Sequence, residues 1–202
     1  MYDNELDSKE YKGYTIRIYQ DLDWDCHNPR EWDNLGHMIC AHNKYELGDE
    51  QIRAQDYESW DHIEKELLIN DPEVILWRPL YLYDHGGITM SSAPFSCGWD
   101  SGQVGFIYLD AEGFSHFDSI EDAAKALIQE VDIYSSYLEG DIVYYIVENE
   151  DGGIIDSCGG YVGESLEYVY EEGKSVIDWE IKARDKEKRE VQVWAERDVV
   201  TI

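Results

Sequence analysis

Asp84, His85, Cys97 and Asp100 stand within one short stretch, DHGGITMSSAPFSCGWD, and bring together a thiol, an imidazole and two carboxylates. Those groups are what a cysteine or metal-dependent hydrolase needs: a nucleophile, a base to take its proton, and a carboxylate to orient the base. The neighbouring hydroxyls of Ser91, Ser92, Ser96 and Ser101 sit in no G-x-S-x-G elbow. The plainer account is that Cys97 fills space under Trp99 and the loop is a rigid piece of scaffold.

Two further sets have ligand chemistry. Cys26, His27, His37, Cys40 and His42 are zinc-ligand types, but their spacing matches no strong zinc signature. Cys40 and His42 would share a face if both lay on a strand; a buried cysteine and surface histidines explain them as well. Asp21, Asp23 and Asp25 alternate like the first ligands of a calcium loop, yet Cys26 replaces its glycine and Trp32 its closing glutamate, which rules out an EF-hand. A looser oxygen site on Asp25, Asn28 and Asp33, or on Asp84 and Asp100, stays open beside the ordinary role of such residues in closing turns. No resident cofactor is expected, and a divalent cation is the one ligand these residues leave open.

Charge says more than any of these sets. The chain of 202 residues carries 45 acidic against 16 basic side chains, a formal −29. Residues 79–173 hold 19 of the acids and a single base, Lys125, whereas residues 174–202 hold 7 of each sign. With 7 Trp and 16 Tyr there is ample material for a core, so the acidity does not signal disorder. A field of that strength disfavours nucleic acid and anionic membranes as direct partners and favours basic protein grooves, basic peptides and divalent cations. Two groups of acids are candidates for contact with a basic partner. The first is Asp118, Glu121, Asp122, Glu130, Asp132, Glu139 and Asp141; the second is Glu148, Glu150, Asp151, Asp156, Glu164, Glu167, Glu171 and Glu172. A face that merely keeps the chain in solution is the alternative.

The elements that must position these groups follow from periodicity. The expected class is α+β, a mainly antiparallel twisted sheet with several peripheral helices, in a single domain over 1–202 with a frayed lead-in at 1–10 and a helical elaboration at 165–202. Strands are expected at Tyr14–Tyr19, Leu80–Tyr83, Val104–Leu109 and Asp141–Glu148, the last paired with Ile154–Cys158, and a short strand or turn at His37–Ala41. Ile52, Tyr57, Trp60, Ile63 and Leu67 suggest a helix over 49–69 capped by Asp49. Ser119 with Asp122 opens a helix that Gly140 stops. Ser165–Glu172 and Ser175–Arg189 read as two helices broken at Gly173, with Val191–Trp194 a closing strand. Four cysteines without a CxxC pair, an acidic polar N-terminus and the lack of a long apolar run lead to the expectation of a cytoplasmic protein.

The words YDHGGITM and WDSGQVGFIY, with NPREWDNLGHMICAHNKYELGD upstream and GDIVYYIV and DSCGGYVG downstream, resemble a family of small proteins encoded by bacteriophages and other mobile elements. The likeness runs in patches over residues 15–165 and carries no catalytic residue to these positions. It implies a setting in which accessory genes counter host defence, and by analogy of charge it brings to mind acidic anti-CRISPR and antirestriction DNA mimics. The expected function is therefore inhibition, without catalysis, of a host defence nuclease such as a CRISPR effector or restriction enzyme. Carboxylates would face its basic nucleic-acid groove, with Trp24, Trp32, Trp77 or Trp99 as anchors. The alternatives are a metal-dependent or cysteine hydrolase on the 84–100 loop, and an acidic module for another basic host protein.

Overall fold

The computed structural model describes residues 4–23 and 27–199. In chain order the elements are β1 (Glu5–Tyr11), β2 (Tyr14–Gln20), β3 (His37–Cys40), β4 (Glu50–Gln51), α1 (Trp60–Glu64), β5 (Val74–Asp84), β6 (Ile88–Ser91), β7 (Ser101–Asp110), α2 (Ala111–Phe114), α3 (Ile120–Glu139), β8 (Ile142–Glu148), β9 (Ile154–Val162) and α4 (Leu166–Val199). The class is α+β, with two mostly antiparallel sheets. Contacts gather these elements into two compact units, residues 1–22 with 142–202 and residues 23–141.

In the first unit the strand order is β1-β2-β8-β9. Tyr14, Ile16 and Ile18 of β2 alternate inward and meet Val143, Tyr145 and Val147 of β8. Val169, Tyr170 and Ile177 of α4 close this core from one side. Residues 1–10 are expected to fray, but β1 is a paired edge strand. Lys12 (φ 52°) and Gly13 (φ 83°) form a tight two-residue turn of the kind that joins twisted strands, and Lys9 and Lys12 pair with Glu167 and Asp178 of α4.

The expected break at Gly173 is corrected in the same way. α4 is one helix from 166 to 199, and Gly173 lies on its inner face where an added Cβ would come 2.9 Å from Ile16 Cγ2. The glycine serves close packing onto the sheet rather than termination. The closing strand expected at Val191–Trp194 is also part of α4, since no glycine or proline interrupts residues 174–199 and residues 180 and 184 pair one turn apart.

In the second unit the order is β4-β3-β7-β5-β6, antiparallel except for the short β3–β4 pair. α3 lays Ala123, Leu127, Val131 and Tyr134 inward. Its start is the Ser119 cap that the sequence announces, Ser119 Oγ accepting from the Asp122 N–H and donating to the Asp122 carboxylate, and Gly140 ends it at φ 73°. A second cluster joins Ile39 and Phe106 to Ile63 and Leu68. The long helix expected over 49–69 is reduced to α1 and one wider turn at Lys65–Ile69. Ser59, not Asp49, caps it, because the Asp49 carboxylate is engaged by Arg30 and by the Met38 N–H.

Gly105 of β7 faces Cys40 of β3, and a Cβ built on it would lie 2.1 Å from the Ile39 carbonyl oxygen. Backbone cannot yield as a side-chain tip can. Gly105→Ala is therefore expected to destabilise residues 23–141 by about 3 kcal/mol, through overpacking at a strand pair. A shift in the urea midpoint without a change in slope measures it, and an unchanged midpoint would show that β3 is free to move away.

Candidate functional site

The sheet of the second unit builds the 84–101 loop. Tyr83 is paired with Ser101, and the Asp84 N–H donates to the Asp100 carbonyl at 2.8 Å, so the two aspartates emerge side by side. Asp84 Oδ2 accepts from Tyr45 OH (3.1 Å) and Lys44 Nζ (3.2 Å), and the hydrogen bond from Lys44 holds its carboxyl below the ordinary value. His85 Nδ1 lies 3.2 Å from Asp100 Oδ2, and the Cys97 thiol donates weakly to the same oxygen at 3.9 Å. Ser101 Oγ donates to the Cys97 carbonyl.

Three of the groups proposed for catalysis, His85, Cys97 and Asp100, come together, in an order that suits a staple, while the Asp84 carboxylate turns away to Tyr45 and Lys44. A thiol nucleophile needs the imidazole between itself and the carboxylate. Here Asp100 is the shared centre, and both the thiol and the ring turn to it. The cluster is open, with the His85 side chain 70% exposed. Beside it Trp99 is 97% exposed. Asp100 fixes the loop, and the loop presents an indole.

The acids of the first group line up on α3. Residues 121, 132 and 139 are separated by whole numbers of turns, so Glu121, Asp132 and Glu139 form one exposed stripe, with Asp118 and Asp141 beyond its ends. Lys125 pairs with Glu121 (3.0 Å) and Asp122 (3.5 Å) and offsets one charge. Glu139 also accepts from Ser135 Oγ. The helix is about 30 Å long, over which a DNA duplex carries roughly 18 charges. The stripe is far sparser, so its field suits steering better than a phosphate-by-phosphate replica.

Glu130 belongs elsewhere than the expected surface. Its Oε1 accepts from the Leu35 and Gly36 N–H groups (3.1 and 3.0 Å), and its Oε2 pairs with Arg30 Nη1 (3.0 Å). Arg30, only 4% exposed in its side chain, forks to both oxygens of Asp49 (2.9 and 2.6 Å) and donates to the Gly36 carbonyl. This carboxylate–arginine–carboxylate clamp ties residues 30–49 to α3. Its sequence signal is faint, a lone arginine after a proline whose two partners lie 19 and 100 residues away.

In the first unit the second group of acids divides. Glu148 pairs with Arg17, Glu167 with Lys9 and Lys174, Glu171 with Lys174, and Asp156 accepts from Tyr145 OH at 2.8 Å. Glu150, Asp151 and Glu164 are exposed, and Glu172 is half-buried.

The ligand sets expected from sequence are not assembled among the described residues, where no group of three or more His, Cys, Asp or Glu side chains is placed to hold a metal ion. Trp24, Asp25 and Cys26 lie outside those residues. Asn28 Oδ1 caps the turn at Pro29–Glu31 by accepting from the Arg30 N–H, and Asp33 is exposed. His37 lies 3.5 Å from Asp110, and His42 Nδ1 accepts from the Lys44 and Tyr45 N–H groups. Cys40 is fully buried, which pushes its thiol up to about 12. Native protein treated with iodoacetamide is therefore expected to be alkylated at Cys158 and Cys97 while Cys40 stays protected until unfolding. Peptide mapping checks this, and rapid labelling of Cys40 would contradict its burial.

Of the expected anchors, Trp77 is structural, its Nε1–H donating to Glu64 at 2.8 Å, while Trp32 and Trp99 are exposed. No helix of the described residues is long and apolar enough to cross a membrane. Comparison of the chain with protein-family models, with curated proteins and with solved structures finds no match.

Proposed function

We propose that the protein is a non-catalytic inhibitor, carried by a mobile element, that binds the basic nucleic-acid channel of a host defence nuclease and keeps nucleic acid out. The observation that carries this reading is the exposed Trp99 beside Asp84 and Asp100, in a segment (79–173) whose 19 acids face one lysine. Exposed carboxylates on α3 draw a basic surface in, and an aromatic anchor on a stapled loop supplies short-range affinity.

The test is a titration of purified CRISPR effectors and restriction nucleases at low and high salt. Inhibition is expected to require at least one equivalent of the protein and to weaken about tenfold or more between 50 and 500 mM salt. Complete inhibition at a few per cent of an equivalent, unaffected by salt, would sink the reading.

The one second reading is a hydrolase on this loop, supported by the nearness of a thiol, an imidazole and a carboxylate although Asp100 rather than the ring holds the middle place. It separates cleanly: His85→Ala would abolish a hydrolytic activity and leave a charge-steered inhibitor almost unchanged.

A further inference from the structure

In the first unit, Ile155 and Asp156 of β9 and Glu172, Ser175, Val176, Trp179 and Glu180 of α4 line an open groove of about 410 Å³. Its walls are apolar and its rim is acidic. Trp179 is 68% exposed, a large indole left at the surface of a helix whose neighbouring turns are packed on the sheet. Two of the carboxylates are partly used, Asp156 by Tyr145 OH and Glu180 by Arg184 Nε at 2.7 Å. Glu172, the third carboxylate, is half-buried at the rim, and its negative charge raises the pKa of the Tyr168 hydroxyl one turn before it on α4.

We infer that this groove receives an arginine side chain from a basic partner protein, with the guanidinium laid on the Trp179 indole and forked toward Glu172 and Asp156. A planar cation that stacks on an aromatic face and donates sideways to carboxylates matches such walls and such a rim; a lysine ammonium matches only the charge. The same unit already seats cations on rings. Lys9 Nζ stands 4.0 Å from the centroid of Tyr170, and the Arg184 guanidinium 5.9 Å from that of Tyr14. The inference rests on the proposed function only in taking the partner to be basic.

The experiment is a nuclear magnetic resonance titration of the full chain with argininamide, lysinamide and the uncharged isostere citrullinamide. Argininamide is expected to shift the Trp179 indole and the Ile155 and Val176 methyls, with lysinamide weaker and citrullinamide inert. The Ile155 shifts should need about tenfold more argininamide in Trp179→Ala and about threefold more in Glu172→Gln, and be unchanged in Trp99→Ala. Because Trp179 is exposed, the alanine variant keeps the fold. The proposal is overturned if citrullinamide matches argininamide, if shifts spread evenly over all acidic faces, or if Trp179→Ala binds as the parent does. It is overturned as well by a dimer that argininamide dissociates, which would give the groove to a second copy of the chain. No nuclease enters this titration, so its outcome stands apart from the inhibition test.

Discussion

Arg30→Ala is expected to destabilise residues 23–141 by about 3–5 kcal/mol, the scale found when one partner of a buried ion pair is removed and the others keep their charge. Asp49 and Glu130 would be left facing each other's side of an emptied guanidinium site, with the Gly36 carbonyl stripped of its donor. Lysine cannot restore the fork, because one ammonium does not span Asp49 bidentately and reach Glu130 as well. Buried ion pairs can often be exchanged for apolar residues at little cost, but not here. The same carboxylates also accept the N–H groups of Leu35, Gly36 and Met38, which apolar replacements would leave unpaired. Glu130→Gln keeps an oxygen for Leu35 and Gly36 and should cost less, about 1–2 kcal/mol. Urea titrations of the three proteins measure the series. An Arg30→Ala loss below about 1 kcal/mol would mean that water has free access to the clamp.

If the protein acts as the proposed nuclease inhibitor, Trp99→Ala is expected to weaken that inhibition by about 30-fold or more, corresponding to roughly 2 kcal/mol, while leaving the urea midpoint where it was. The two halves of that expectation come from one number: a side chain 97% exposed gives the fold almost nothing and has its whole surface to bury on a partner. The salt dependence should not move, since no charge is lost. Neutralising Asp132 and Glu139 together should do the reverse, lowering the association rate and flattening the salt slope with little change in dissociation. Retention of full potency by Trp99→Ala would remove the loop from the interface and leave only the acidic faces.

Short-range rules made much of this architecture legible. The Ser119–Asp122 cap, the stop at Gly140, and the alternation of Tyr14, Ile16 and Ile18 each depend on residues a few places apart, and each stands as the sequence suggests. Where sequence reasoning failed, a distant partner decided. Gly173 looks like a breaker until Ile16 is laid against it, and Asp49 looks like a helix cap until Arg30 claims its carboxylate. The two-residue turn at Lys12–Gly13 has a local signal in its glycine, but β1 before it, ELDSKEY, has too few apolar residues to show a strand's alternation. At the loop, proximity in sequence accounts for the meeting of His85 and Cys97 with Asp100, but not for the carboxylate's middle place, nor for Lys44 and Tyr45 drawing the Asp84 side chain away. The groove beside Trp179 had no sequence signal, for β9 and α4 supply its two walls.

The long C-terminal helix has an inner half packed through Val169, Gly173 and Ile177, and an outer half in which residues 184–194 are all exposed. Helical hydrogen bonds with little buried packing around them are marginal in water. Amide exchange should therefore rise in steps toward the far end, with slow amides near 170–177 and fast ones past 184. Heating followed by circular dichroism at 222 nm should show a sloping loss of ellipticity before the main transition, as that outer half melts ahead of the sheet.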